Sequence, residues 1–502
     1  GLTSITIPEG VTSIGSSAFS GCSGLTSLTI PNSVTSIGES AFAGCSGLTC
    51  LTIPKSVTSI GKAAFKDCSS LSKAMAIPTN VTEIADETFM GCGSLPSVRL
   101  TSNVTSIGNQ AFDGCKTFKS FVFTPNITSM GNSAFRNCSG LTSIKLPSKV
   151  NLLGDYAFAD CENLESAIFN SNVEINATTF ENDWKLKTLT SPAYYFDGVL
   201  YNKEKTELIR AFDRTISDYV IPETVTGIGK LAFKDFTNLS KINLPSGLTS
   251  VGDDAFSNCK KITLSALPDQ LTSIGARAFL NCSDIKVKRL PSTLKYIGAQ
   301  AFANCEGITT FTLANDANLG TGVFAGCIAL KTVNISSLKK ISDCLFENCL
   351  ALNRVVTSAD LDSVGTKAFK NCSNLASIII SSTKSVGAEV FNGCSKLEEI
   401  NIPNVKTLGN NTFNGCRALK EANILSCDSI SDSVFKDCAA LQTIQIQTEL
   451  LRAIGKKAFW GCSSLTSPWE FLNSDMTIAD SAFIGCTSLK KIRVRKNNPY
   501  SY

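Results

Sequence analysis

A phenylalanine recurs along this chain twenty times, from Phe19 to Phe483, and every step but one is 22 to 24 residues long. A period of that size means that one small supersecondary unit is repeated and stacked. It overrides the usual reading of a 502-residue chain as about three globular domains. The exceptional step, Phe180 to Phe233, spans 53 residues, which is one normal repeat plus about 30 more. The chain therefore reads as one continuous solenoid with one insertion: an N-terminal array over 1–190, an insertion over 191–219 and a C-terminal array over 220–502.

The repeat is constrained unevenly. Five residues before each anchor phenylalanine stands Ile, Leu, Val or Met, and the next residue is Gly in most copies, implying a turn that needs positive φ or no side chain. Three residues after the anchor stands Cys, with Asp183 and Phe236 as exceptions; three further on the residue is always apolar. Stretches such as Leu25-x-x-Leu28-x-Ile30 end in period-two alternation, so they predict a short strand with one buried face. Proline often follows, ending the ladder. Val34-Thr-Ser-Ile37 predicts a second extended piece, and the segment up to the anchor a compact 3₁₀ turn. The expected fold is a β-dominated, curved right-handed superhelix of about 20 coils. Its parallel sheet is built from the LxxLxI strands, placed on the more densely hydrogen-bonded, concave side. Phe19, Cys22, Phe42, Cys45, Phe65 and Cys68 begin the predicted core.

The pattern LxxLxIPxxVTSIGxxAFxxC resembles the BspA-like leucine-rich repeat family of surface proteins of bacteria and protists, over essentially the whole chain. The resemblance implies a leucine-rich repeat solenoid and a cell-surface or secreted protein that adheres to host matrix proteins or other cells. FDGVLYNK in the insertion is similar to a hairpin unit of that family. The departures are the insertion and the shorter, proline-poor copies after Phe302.

Composition removes several chemistries. The chain has no histidine, so it can hold no Ser-His-Asp triad, no Cys-His dyad and no His-ligated metal. No phosphate loop and no singular carboxylate pair stands out, so no catalytic, cofactor-binding or metal-ligating residue is assigned and no cofactor is expected. The net charge of +4 is too small and diffuse for a nucleic-acid-binding protein, and no apolar run approaches a membrane span. Of the 21 cysteines, 18 occupy the repeat position and three (Cys50, Cys344, Cys427) do not. They read as small buried hydrophobes and not as disulfides, because ladder neighbours would point parallel rather than toward each other. So many free thiols suit an anaerobic organism or complete burial.

The insertion reads as a β-hairpin, with runs Tyr195–Tyr201 and Thr206–Phe212 flanking Asn202-Lys-Glu-Lys205. Tyr194, Tyr195 and Tyr201 are candidates for a protruding contact element, although packing on the solenoid flank is the preferred reading. Binding residues are sought at strand positions that alternate with the buried ones. These give Arg354, Glu399, Asn401, Glu421, Asn423, Trp469, Lys491 and Arg493 as candidate ligand contacts, because Trp and Arg are enriched in binding hot spots. Two basic clusters could attract an acidic glycan: Lys286, Lys288 and Arg289, and the run Lys490, Lys491, Arg493, Arg495 and Lys496. Ten Asn-x-Ser/Thr sequons occur, three of them (Asn137, Asn281, Asn371) just before a ladder cysteine. No capping segment is recognisable at either end, so the sequence is expected to be a fragment or to pair its end coils with another chain.

The expected function is a non-enzymatic adhesion module that recognises host or partner proteins or glycans through its concave face. An intracellular interaction scaffold and an accessory region of a carbohydrate-active protein are the alternatives.

Overall fold

The computed structural model describes residues 1–466, 469–471 and 476–494. The chain forms two compact units, Gly1–Arg214 and Thr215–Tyr502. Both are parallel-strand leucine-rich repeat solenoids, and no helix occurs among the described residues.

Each coil has three sides. The first carries the LxxLxI strands. In the first unit Ser143–Leu146 pairs in parallel with Ser166–Phe169, and that strand with Thr188–Thr190. In the second unit Thr310–Thr312, Thr332–Ile335 and Arg354–Thr357 form one such group, and Glu399–Asn401, Glu421–Asn423 and Thr443–Gln445 another. The second side carries two-residue strands of the TSI type. Here four strands run unbroken from Glu83–Ile84 to Leu152–Leu153 in the first unit. Seven run from Lys340–Ile341 to Thr477–Ile478 in the second.

The longer continuous ladder is thus on the TSI side, not on the LxxLxI side as expected. The 24-residue coil that begins at Phe65 takes up its extra residue in the first strand, where Met75 is buried and Ala74 exposed. The TSI ladder also breaks at this coil, between Ser59–Ile60 and Glu83–Ile84, yet its longest parallel run of seven strands exceeds the three of the LxxLxI side.

The third side is the turn that bears the anchor. Ser17, Phe19 and Gly21 donate their N–H groups to the carbonyls of Glu39, Ala41 and Ala43 of the next coil at 2.7–2.8 Å. Ala18, Ser20 and Cys22 instead bond back three residues within their own coil. The 3₁₀ spacing is present, but a 3₁₀ helix is not, because Ser17 (φ 55°) and Gly21 (φ 73°) are left-handed. Every second N–H of the turn points toward the neighbouring coil.

The anchor rings stack in one column per unit. Neighbouring centroids lie 5.3 Å apart at 9° for Phe19–Phe42, and 5.2 Å apart at 9° for Phe279–Phe302. Phe42, Cys45, Phe65 and Cys68 are fully buried; Phe19 and Cys22 of the first coil are half-buried. The glycine before the turn is needed for lack of a side chain, not for positive φ. A Cβ at Gly298 would lie 2.3 Å from the Ala276 nitrogen of the preceding coil.

The insertion differs from a single hairpin. Tyr194–Phe196, Val199–Asn202 and Glu207–Ala211 make a three-stranded antiparallel meander. The run Tyr195–Tyr201 is itself folded at Asp197-Gly198, where Gly198 takes φ 94°. An aspartate followed by glycine supplies that turn.

Candidate functional site

The cysteine column is a structural site with its own chemistry. Each ladder thiol after Cys22 donates to the carbonyl of the anchor phenylalanine one coil earlier, for example Cys45 Sγ to Phe19 O at 3.1 Å and Cys282 Sγ to Phe256 O at 3.0 Å. The same carbonyl accepts the N–H of the cysteine in its own coil, as Phe19 O does from Cys22 at 3.1 Å. Cysteine is therefore more than a small apolar filler: it supplies a donor for the second lone pair of a buried carbonyl. Every cysteine is a free thiol. Burial pushes Cys45 up to about 11, Cys92 and Cys327 up to about 12, and Cys372 and Cys416 well above the usual thiol range. Such thiols are neutral and unreactive at physiological pH. Among the described residues no group of three or more Cys, Asp or Glu side chains could hold a metal ion.

Asp183 replaces cysteine in this column and is fully buried. It accepts the Cys161 N–H at 2.7 Å, and burial raises its carboxyl well above the usual range, against the opposing pull of Arg210.

The meander sorts the three tyrosines. Tyr201 is fully buried, so it is a packing residue and offers no contact surface, as its strand is covered on both faces. Tyr194 is half-buried, and its hydroxyl accepts the Ile175 N–H at 2.8 Å. Tyr195 is exposed, with the Lys205 ammonium 3.3 Å from its ring centre.

The outward side of the first ladder holds the other candidates. Glu399 pairs in register with Glu421, and Asn401 with Asn423, so two columns of like residues run across the coils. Glu399, Asn401 and Glu421 are exposed and Asn423 is half-buried. Asn423 Nδ2 donates to Asn401 Oδ1 at 2.9 Å, while Asn423 Oδ1 is buried without a hydrogen-bond partner. These residues, with Ile379 and Gln445, line an open groove of about 350 Å³. Sequence reasoning passed over Ile379, which is 78 % exposed between the buried Ile378 and Ile380. The signal was legible as an apolar residue at an outward position of the alternation.

The remaining candidates lie elsewhere. Arg354 is exposed two coils before Glu399. Lys491 and Arg493 are exposed, and Arg493 pairs in register with Glu470 and not with Trp469, whose partner is Ile492. The Trp469 side chain, Arg495 and Lys496 lie outside the described residues. Lys288 is exposed although its repeat position is normally apolar, because Val287 takes the buried place. Arg289 is engaged by Asp269 at 3.2 Å. The sequon asparagines Asn137, Asn281 and Asn371 donate their amide nitrogens to Asp113, Asn258 and Asn348 of the preceding coil.

Comparison with known proteins agrees with this architecture. The family model for the BspA type leucine rich repeat region matches in overlapping segments: residues 1–98, 82–197, 210–327, 314–420 and 384–500. The chain belongs to the BspA-type leucine-rich repeat family. Solved structures similar to this BspA-type chain include a leucine-rich repeat protein from Bacteroides ovatus, at 22% identity over 89% of this chain and 92% of that one, with a TM-score of 0.40. A leucine rich cell surface protein from Faecalibacterium prausnitzii also shares 22% identity, over 89% of this chain and 88% of that one, at TM-score 0.35. The pneumococcal vaccine antigen PcpA shares 20% identity, over 77% of this chain and 84% of that one, at TM-score 0.34. No curated protein matches the chain.

Proposed function

We propose that this chain is a non-enzymatic binding module whose partners, proteins or glycans, meet the outward face of the LxxLxI ladder. The observation that carries the reading is the division of labour within the coil. The Phe, Cys and Gly positions are consumed by packing and inter-coil hydrogen bonds, whereas the outward columns differ from coil to coil and include the groove at Glu399 and Glu421. The location proposed is the cell surface or the extracellular space, in keeping with the description of the Faecalibacterium relative as a cell surface protein. Among the described residues no helix is long and apolar enough to cross a membrane.

A second reading, an intracellular interaction scaffold, is favoured by one observation: all 21 cysteines are free. Labelling of intact source cells with a membrane-impermeant reagent separates the two. The binding reading is tested on arrays of matrix proteins and glycans, with Lys491→Glu/Arg493→Glu, Trp469→Ala and Glu399→Gln/Glu421→Gln beside the parent. Binding that some of these substitutions weaken supports it; a parent that binds nothing removes it.

A further inference from the structure

We propose that the groove at Glu399 and Glu421 takes an extended protein segment in which an apolar residue and a lysine or arginine stand two positions apart. The proposal rests on the binding reading above and gives it a site and a class of partner.

Charge is the first argument. Glu399 and Glu421 are held opposite each other on neighbouring parallel strands, which puts two like charges about 4.8 Å apart in backbone spacing. Like charges directly opposite each other on a sheet are destabilising. The nearby ammonium, Lys420, is taken by Glu398 at 2.8 Å. Neither Glu399 nor Glu421 has an ion-pair partner among the described residues. A cation from outside relieves the repulsion.

Shape and apolarity are the second argument. Ile379 stands 78 % exposed on the coil before Glu399, and the column continues through Asn401, Asn423 and Gln445. Four coils span about 14 Å, the reach of roughly four extended residues. From Ile379 to the midpoint of the glutamates is about one and a half coil spacings across the sheet and two residues along it, or roughly 10 Å. Side chains i and i+2 on the same side of an extended chain stand about 7 Å apart, and the length of a lysine or arginine side chain covers the rest. An apolar side chain over Ile379 then lets the cationic tip of the residue two positions on reach the carboxylates. The exposed Asn401, held by Asn423 Nδ2 through its Oδ1, offers its amide nitrogen to the segment's backbone.

The test uses the full chain and fluorescein-labelled peptides of about ten residues carrying Leu-x-Lys or Leu-x-Arg, with Leu-x-Glu and Ser-x-Lys as controls, read by anisotropy. The expected result is binding of the first two that weakens about tenfold or more in Glu399→Gln/Glu421→Gln and in Ile379→Ser, and that falls with added salt. Circular dichroism melts show whether the variants are folded. Equal affinity for Leu-x-Glu, or unchanged affinity in a folded double variant, overturns the proposal. So does binding of calcium alone that the glutamate substitutions abolish while no peptide binds. If the parent captures ligands on the arrays but none of the basic peptides, the groove assignment fails and the binding reading stands. If the parent captures nothing in either format, both fail.

Discussion

Raising the pH should unfold this protein through its cysteines. Seventeen of them are buried as neutral thiols. Burial holds Cys372, Cys394 and Cys416 in three consecutive coils well above the ordinary thiol range. In the unfolded chain each ionises near pH 8.5. The sign follows from linkage: above that pH the unfolded state binds fewer protons than the folded one, so stability falls as pH rises. Below pH of about 8 both states are protonated and the stabilisation is fully present. Each buried thiol then removes about 1.4 kcal/mol per pH unit once the pH exceeds the free-thiol pKa. Replacing Cys372, Cys394 and Cys416 together by alanine therefore lessens the slope by about 4 kcal/mol per pH unit for the cooperative block that holds them. Guanidinium melts under reducing conditions, followed by circular dichroism from about pH 7.5 to about pH 10.5, measure it. The triple variant is less stable at neutral pH, because it loses three thiol hydrogen bonds and some packing, yet its stability falls less steeply. Wild-type stability that is flat to about pH 10, or an unchanged slope in the variant, refutes the reasoning.

Thiol burial and coil packing set further outcomes. At pH 8, Cys45 is about one part in a thousand thiolate and Cys92 about one in ten thousand. A native alkylation time course read by mass spectrometry should therefore label the exposed Cys50 first, and all 21 only after denaturation without reductant. Gly298→Ala forces a Cβ to 2.3 Å from backbone of the previous coil, whereas Gly247→Ala meets open space. Chemical denaturation should show a loss of about 1–3 kcal/mol or more for the first and within about 0.5 kcal/mol for the second. Phe302→Ala opens a hole between rings whose centroids lie 5.2 and 5.6 Å away. It should cost about 3–5 kcal/mol in the same assay.

Much of the coil was legible from spacing. The buried column of Phe and Cys, the outward pair Glu399/Asn401 and the aligned Glu421/Asn423 follow from alternation. A further signal was available: the residue two after each anchor is always Gly, Asn or Asp, as in Gly21, Asp67 and Asn137, and all three adopt positive φ. The insertion was misread because Tyr195–Tyr201 alternates well enough to pass for one strand, while its Asp-Gly turn is buried in the run. Lys288 turns outward because a coil can slip one residue in its first strand without changing the period.

The repeating pattern of Leu, Ile, Gly, Phe and Cys was sufficient for a stacked coil, its core and its left-handed Gly/Asn/Asp corner, because those residues are chosen by burial and backbone sterics that act locally. Stacking alone decided the rest. Two residues before the anchor, Ser17, Tyr156, Leu231, Arg277 and Lys367 all take φ between 54° and 62°, although no side chain among them favours it. The cost of about 1–2 kcal/mol per residue is offset by an N–H···O bond to the next coil, such as Ser17 to Glu39 at 2.7 Å. The thiol-to-carbonyl bonds and the meeting of Ile379 with Glu399 and Glu421 likewise arise between coils 22 residues apart or more. A repeat read one copy at a time contains only one partner of such a contact.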